Sequence, residues 1–307
     1  MSAAPRSRRA LGRLLTCLST ATVAESLELC AEPGGHAARI GITGAPGAGK
    51  STLISRLAKR RLAACRDTGG VAVLAVDPSS PLTRGAILGD RIRMDALANE
   101  PELFIRSVSS RSSSDGLADN IADLLGALDR QGFREILLET VGVGQAEHAI
   151  RQLVDTLVVV LQPDSGDAIQ AMKAGILEVA DIYVVNKADL PAARKTAAEI
   201  RAIQNHSRDA GRTWPLRPVI EISHDRDEGV AALDAALSGH LAWIHANRDP
   251  VTVQRARRRY HLQSLIVRRV AELLDKGSDA SDEVGLRQAY DALVRALAAD
   301  VRAAQRS

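Results

Sequence analysis

Gly44-Ala45-Pro46-Gly47-Ala48-Gly49-Lys50-Ser51-Thr52 is the stretch on which the reading of this chain turns. It has the full GxxxxGK[ST] spacing, and both flanks suit it. Ala38-Arg39-Ile40-Gly41-Ile42-Thr43 reads as a short strand, and Thr52-Leu53-Ile54-Ser55-Arg56-Leu57 opens an amphipathic helix. Glycines let successive backbone N–H groups wrap phosphate oxygens, and a helix N-terminus adds its positive dipole end. Lys50 is placed to reach the β- and γ-phosphates, and the Ser51 hydroxyl to hold Mg²⁺. The segment Gly44, Ala45, Pro46, Gly47, Ala48, Gly49, Lys50, Ser51 and Thr52 is therefore expected to cradle a nucleoside triphosphate.

Working outward, short aliphatic runs alternate with longer helical patterns from about residue 38 to 240. The runs are Ile40–Thr43, Val71–Val76, Phe104–Val108, Ile136–Glu139, Thr156–Leu161, Ile182–Val185 and Val219–Ile222. Continuous apolar runs separated by helices predict an α/β fold whose mostly parallel sheet is flanked by helices. Ligands of such sheets bind beyond the carboxyl ends of the strands. Residues 7–30 read as one or two helices, broken by Ala31-Glu32-Pro33-Gly34-Gly35. Beyond the sheet region, Leu262, Leu265, Ile266, Val270, Leu273 and Leu274 recur at helical spacing. So do Leu286, Tyr290, Leu293, Leu297 and Val301, after a charged break. This tail hairpin has no sheet of its own and must pack on the main body or on another subunit. The expected organisation is an N-terminal helical extension over 1–37, a P-loop domain over 38–245 and a C-terminal helical arm over 246–307.

Composition sets limits on function. The chain has 307 residues, 46% hydrophobic but only 2% aromatic, so its core is built from Ala, Val, Leu and Ile. With 40 basic against 37 acidic residues, the net charge of +3 gives no ground for nucleic-acid binding. The arginine runs Arg6-Ser7-Arg8-Arg9 and Arg255-Ala256-Arg257-Arg258-Arg259 read as solvated tails or helix faces. Cys17, Cys30 and Cys65 are odd in number and widely spaced, which fits a reducing compartment and no disulfide framework. No apolar run approaches the roughly 18–20 residues of a membrane span. A cytoplasmic location is expected, or the mitochondrial matrix in a eukaryote.

Three further motifs fall at strand ends. Asn186-Lys187-Ala188-Asp189 follows Ile182–Val185 as an NKxD pattern. The Asp189 carboxylate can accept hydrogen bonds from the ring N–H and exocyclic amine of guanine, a donor pair that adenine lacks. Asn186 would tie the loop together and the Lys187 stem would cover the base. Glu221-Ile222-Ser223-His224 ends the last strand, where backbone N–H groups at Ser223 and His224 could meet the guanine carbonyl. Ile136–Glu139 ends in a carboxylate followed by Thr140-Val141-Gly142-Val143-Gly144-Gln145. Glu139 can enter the Mg²⁺ shell, and the Gly142 N–H can meet the γ-phosphate. Asp77, after Val71–Val76, and Asp90, in Ile87-Leu88-Gly89-Asp90-Arg91, are further metal candidates. The expected ligands are thus GTP or GDP with Mg²⁺.

Taken in order, Val76-Asp77-Pro78-Ser79-Ser80, Ile87–Met94, Glu139–Gln145 and Asn186–Asp189 resemble the MeaB/ArgK family of methylmalonyl-CoA mutase-associated GTPases. The resemblance runs from about residue 38 to 230. It implies a G domain of the signal-recognition-particle and nickel-chaperone class, with an N-terminal helical extension and a C-terminal dimerisation arm. It also implies a homodimeric GTPase chaperone that gates adenosylcobalamin delivery to an acyl-CoA mutase and protects that mutase. In that pattern Lys50 and Ser51 serve phosphate and Mg²⁺, Asp90 the metal-binding switch, Glu139 and Gly142 the second switch, and Asp77 the outer metal shell. Pro163–Lys173 matches the loop through which the family contacts its mutase. It reads Asp167-Ala168-Ile169-Gln170 where the family has Asp-Glu-Leu-Gln. The family's base-binding Ser-Ala reads Ser223-His224, and Ser109–Asp119 departs from the usual Gly-rich form.

Gln145 is the candidate switch glutamine and Arg111 the candidate arginine finger, and slow intrinsic hydrolysis accelerated by a partner is expected. A nickel-insertion GTPase of the same class should carry a His-rich or Cys-containing metal motif, which the seven scattered histidines do not supply. An amino-acid-transport kinase predicts ATP use, against Asp189. A GTP-binding scaffold without turnover is the remaining alternative.

Overall fold

The computed structural model describes residues 7–30, 36–65, 68–78, 100–110, 118–140, 146–163, 179–206, 217–276 and 285–304. All seven expected strands form: β1 (Ala38–Gly44), β2 (Val71–Pro78), β3 (Leu103–Ser110), β4 (Glu135–Glu139), β5 (Thr156–Leu161), β6 (Ile182–Asn186) and β7 (Val219–Ile222). They make one sheet in the order β3-β2-β4-β1-β5-β6-β7, with every pairing parallel. The chain leaves β1 toward β2 on one side and passes from β4 to β5 on the other. β1, at the centre, therefore opens at its carboxyl end into the kind of crevice where such sheets take ligands.

Side-chain alternation explains the two covered faces. On β5, Val158 and Val160 join one cluster with Ile40 and Ile42, while Leu157, Val159 and Leu161 face the opposite side. The first face is covered by α3 (Lys50–Cys65) through Leu53, Ile54, Leu57 and Leu62, and by α7 (Glu228–Asn247) through Val230, Leu233 and Leu237. The second is covered by α4 (Ile121–Arg130), α5 (Ala146–Leu153) and α6 (Ala193–His206). Gly41 permits the close approach of α5, since a Cβ there would lie 2.8 Å from Ile150 Cδ1. Burying strands on both faces is why their sequences read as unbroken apolar runs.

The N-terminal segment forms two helices. In α1 (Arg8–Thr20) Leu11, Leu15 and Leu18 are buried against α4. Thr22 and Glu25 then form a capping box that starts α2 (Val23–Leu29). At the other end, α8 (Pro250–Lys276) and α9 (Leu286–Ala304) form the tail hairpin. Only Leu265 of the apolar stripe expected on α8 is buried. A polar stripe seats the helix instead. Arg257 pairs with Asp155 at 2.7 Å, His261 with Asp123 at 2.6 Å, and the Ser264 hydroxyl donates to Asp119 O at 2.8 Å. Arg268 pairs with Asp123 and donates to Ala21 O at 2.9 Å, and Glu272 accepts from Val23 N at 2.7 Å. These positions recur every three or four residues, so they share one helix face. Leu262, Ile266, Val267 and Leu274 are exposed, as are Leu286, Tyr290 and Val294 on α9. Among the described residues no helix is long and apolar enough to cross a membrane.

Candidate nucleotide site

The carboxyl end of β1 delivers the chain to a tight turn, and α3 begins at Lys50. Gly44, Gly47 and Gly49 all have positive φ, at 151°, 78° and 86°. Two of them are also pressed on from outside. A Cβ on Gly44 would lie 2.1 Å from Val160 O, and one on Gly49 would lie 2.3 Å from Asn186 Nδ2. Gly47 has open space around it, as a residue facing a ligand would. Ala45 and Thr52 are half-buried, Pro46 is exposed and Ala48 is fully buried. The Lys50 ammonium is buried and folded back on the turn, donating to Gly44 O at 2.9 Å and Ala45 O at 3.0 Å. A phosphate in the turn would offer this cation a negative partner within the same reach.

On the metal side, Ser51 and Glu139 meet. The Ser51 hydroxyl donates to Glu139 Oε1 at 2.8 Å, and both residues are buried. Register brings them together, because β4 lies beside β1 with Glu139 opposite Ile42. Next to Glu139, Thr140 is fully buried and its Oγ1 has no hydrogen-bond partner among the described residues. A hydroxyl and a carboxylate side by side, with an unsatisfied oxygen adjacent, form an all-oxygen donor set. That set fits Mg²⁺, which takes one or two protein oxygens, water and phosphate. The backbone of β2 carries Asp77 to the same end of the sheet, where it stands opposite Ser109 of β3. The Asp77 side chain lies outside the described residues, as do Asp90, Gly142, Arg111 and Gln145 and the segment 164–173 of the expected partner loop.

The residues expected to meet the base sit at the ends of β6 and β7. A cavity of about 970 Å³ is lined by Asp189, Arg194, Glu221, Ser223, Asp225 and Arg226, among others. Asn186, Lys187 and His224 are not in its wall. Asn186 turns toward the phosphate loop and donates from Nδ2 to Ala48 O at 2.7 Å. Lys187 is the one non-glycine with positive φ among the described residues, at 54°, and its ammonium reaches Gln162 Oε1 at 2.8 Å. That left-handed residue turns the chain so that Ala188 N bonds Ile222 O at 3.0 Å, joining the two strand ends. His224 is exposed, whereas Ser223 is buried. A hydrogen bond from the Ser223 side chain holds the Asp225 carboxyl below its ordinary value.

Arg56 lies at this candidate site as well. From α3 it donates to Ser223 O at 2.9 Å and pairs with Asp227 at 3.2 Å. The helix that starts at the glycine turn is thus bonded to the loop that walls the cavity beside β6 and β7. Nothing in the local pattern marks Arg56, since its partners lie 167 and 171 residues away.

Comparison with known proteins agrees with this geometry. The family described as "Methylmalonyl Co-A mutase-associated GTPase MeaB" matches residues 12–279. A Pyrococcus abyssi protein named as a GTPase is 40% identical over 240 residues, covering 77% of this chain and 73% of its own. A protein of Cupriavidus metallidurans named fused isobutyryl-CoA mutase is 33% identical over 283 residues, 87% of this chain but 26% of that one. The crystal structure of a protein titled LAO/AO transport system kinase shares the fold, with a TM-score of 0.58 at 23% identity. It covers 95% of this chain and 99% of its own.

Proposed function

The chain belongs to the MeaB family of methylmalonyl-CoA mutase-associated GTPases, and on that premise we propose that it is a GTP-driven chaperone of an adenosylcobalamin-dependent acyl-CoA mutase. In this reading it binds GTP with Mg²⁺, hydrolyses it slowly alone and faster with its partner, and gates cofactor loading. Lys50 and the turn N–H groups hold the phosphates, Ser51 and Glu139 hold Mg²⁺, and Asp189 reads guanine. Asp77 and Asp90 complete the metal side, and Gly142 senses the γ-phosphate. The exposed apolar residues of α8 and α9 supply the homodimer contact. A relative in which a similar segment is part of a fused mutase supports the choice of partner class.

The observation that carries the nucleotide part is the Asn186–Ala48 hydrogen bond at 2.7 Å. It makes the phosphate loop and the base-reading loop one connected site, so that one ligand spans both. Titration of the purified chain with fluorescent GTP and ATP analogues tests it. A site built around the guanine donor pair should prefer GTP by about 10⁴. Asp189→Asn should weaken GTP by about 10- to 100-fold, the worth of charge-assisted hydrogen bonds. Equal affinity for GTP and ATP would sink the guanine assignment. For the partner, the test is a pull-down with a non-hydrolysable GTP analogue, followed by turnover with and without the captured mutase. Turnover unchanged by any cobalamin-dependent mutase would refute the chaperone reading.

A further inference from the structure

The amino ends of the strands, opposite the nucleotide site, hold a second cavity of about 360 Å³. It lies where β1 begins and where α7 turns into α8. With seven residues in β1, it is roughly 20 Å from the phosphate loop. Its floor is apolar: Ala37, Leu241 and Ile244 are buried, and half-buried Val253 on α8 closes it. Its rim is cationic. Arg134 and Arg248 both line it, and among the described residues neither guanidinium is paired with a carboxylate. Arg248 is held by the Trp243 ring, 5.8 Å from its centroid, so it is positioned without being neutralised.

The carboxylate present is already committed. Asp155 accepts from Arg257 at 2.7 Å and from the Arg39 backbone N–H at 2.8 Å. Burial pushes the Arg257 pKa down, with the neighbouring Arg39 guanidinium adding to the effect. Its Nε is buried with no hydrogen-bond partner among the described residues. A concave apolar floor with convergent, uncompensated guanidinium groups is the arrangement that captures an anion bearing a hydrocarbon body.

We propose that this basal cavity binds a small amphipathic anion, with its carboxylate or phosphate head on Arg134 and Arg248 and a short aliphatic body on the Leu241, Ile244 and Val253 floor. The volume suits about a dozen non-hydrogen atoms, at roughly 30 Å³ each. Because Pro250, Val253, Gln254 and Arg257 belong to α8 and the other lining residues precede it, the ligand would bridge the elbow between them. This site is independent of the guanine assignment.

Calorimetric titration of the full chain with octanoate and with octyl phosphate tests the proposal, with inorganic phosphate and 1-octanol as single-feature probes. One or both amphiphiles should bind at one site, at least about tenfold more tightly than either single-feature probe. Which of them binds more tightly identifies the head group. Arg134→Gln/Arg248→Gln should weaken that binding at least about tenfold while leaving guanine-nucleotide affinity unchanged. If the double variant fails to fold, the unmutated chain serves instead. Octanoate or octyl phosphate should then slow modification of Arg248 by phenylglyoxal, and unaltered modification would overturn the proposal. So would the absence of binding, binding unaffected by the double variant, or a single-feature probe binding as tightly as the amphiphiles.

Discussion

Replacing Gly49 with alanine isolates the contact that joins the two halves of the candidate nucleotide site. Two costs arise. At φ 86° an alanine sits in the left-handed region, at about 1 kcal/mol relative to glycine. Its Cβ would also lie 2.3 Å from Asn186 Nδ2. The amide must swing away and abandon Ala48 O, which removes a hydrogen bond worth about 1 kcal/mol. With residual crowding, Gly49→Ala should destabilise the nucleotide-free protein by about 2–3 kcal/mol. Gly47 is the internal control. Its φ is 78° and a methyl group there would meet nothing within 4 Å, so Gly47→Ala should cost only the backbone component, about 1 kcal/mol. Urea unfolding of both variants, and of Asn186→Ala and Gly49→Ala/Asn186→Ala, supplies the cycle. The double variant should fall short of additivity by about 1 kcal/mol, because one hydrogen bond would otherwise be counted twice. Equal losses at Gly47 and Gly49, or strict additivity, would refute the claim that Asn186 is braced against the phosphate loop.

Two further outcomes concern the arm. Asp123 is 1% exposed and binds both His261 and Arg268, so Asp123→Ala should cost about 3–5 kcal/mol in chemical denaturation by stranding buried charge. Burial alone would raise the Asp123 pKa, but His261 and Arg268 outweigh it and hold it below the ordinary value. Its contribution is therefore complete above the unfolded carboxylate pKa of about 4 and fades as pH falls through the lower folded value. The gap between the unmutated protein and Asp123→Asn should narrow on that acid limb, and a gap constant with pH would contradict it. Truncation after Lys276 removes α9 and leaves the polar seat of α8. It should yield monomers by light scattering with little loss of melting temperature. A truncated chain that remains dimeric, or a full-length chain already monomeric, would exclude α9 as the contact.

The sheet was legible because its strands are buried on both faces. Runs such as Thr156–Leu161 and Ile182–Val185 carry no charged residue that could blur them, and the structure lengthens the expected strands by at most two residues at either end. The phosphate loop was legible because its glycines answer local demands, as the positive φ of Gly44, Gly47 and Gly49 makes plain. Ties between distant segments were not. Arg56 to Ser223 and Arg61 to Glu135 join residues 167 and 74 positions apart, and only the fold brings them together. The tail was misleading in a particular way. Periodicity finds the apolar stripe of α8, but the residues that seat it are Arg257, His261, Ser264, Arg268 and Glu272, which as a sequence look like an ordinary solvated face.

That seat changes what it costs to move the helix. A helix glued down by hydrocarbon must wet that hydrocarbon when it lifts, a penalty proportional to area and indifferent to direction. The α8 seam instead opens by trading a handful of directional bonds to Asp123, Asp155 and the α2 N-terminus for bonds to water. Besides Leu265 and the floor that Val253 closes, detachment would uncover mainly charged groups that are soluble in their own right, so an undocked arm would be driven to aggregate less than an apolar one. Added salt would loosen the ion pairs while strengthening any apolar contact made by the outward face. The same helix is thus held to its own body and offered to the outside by forces of opposite salt dependence.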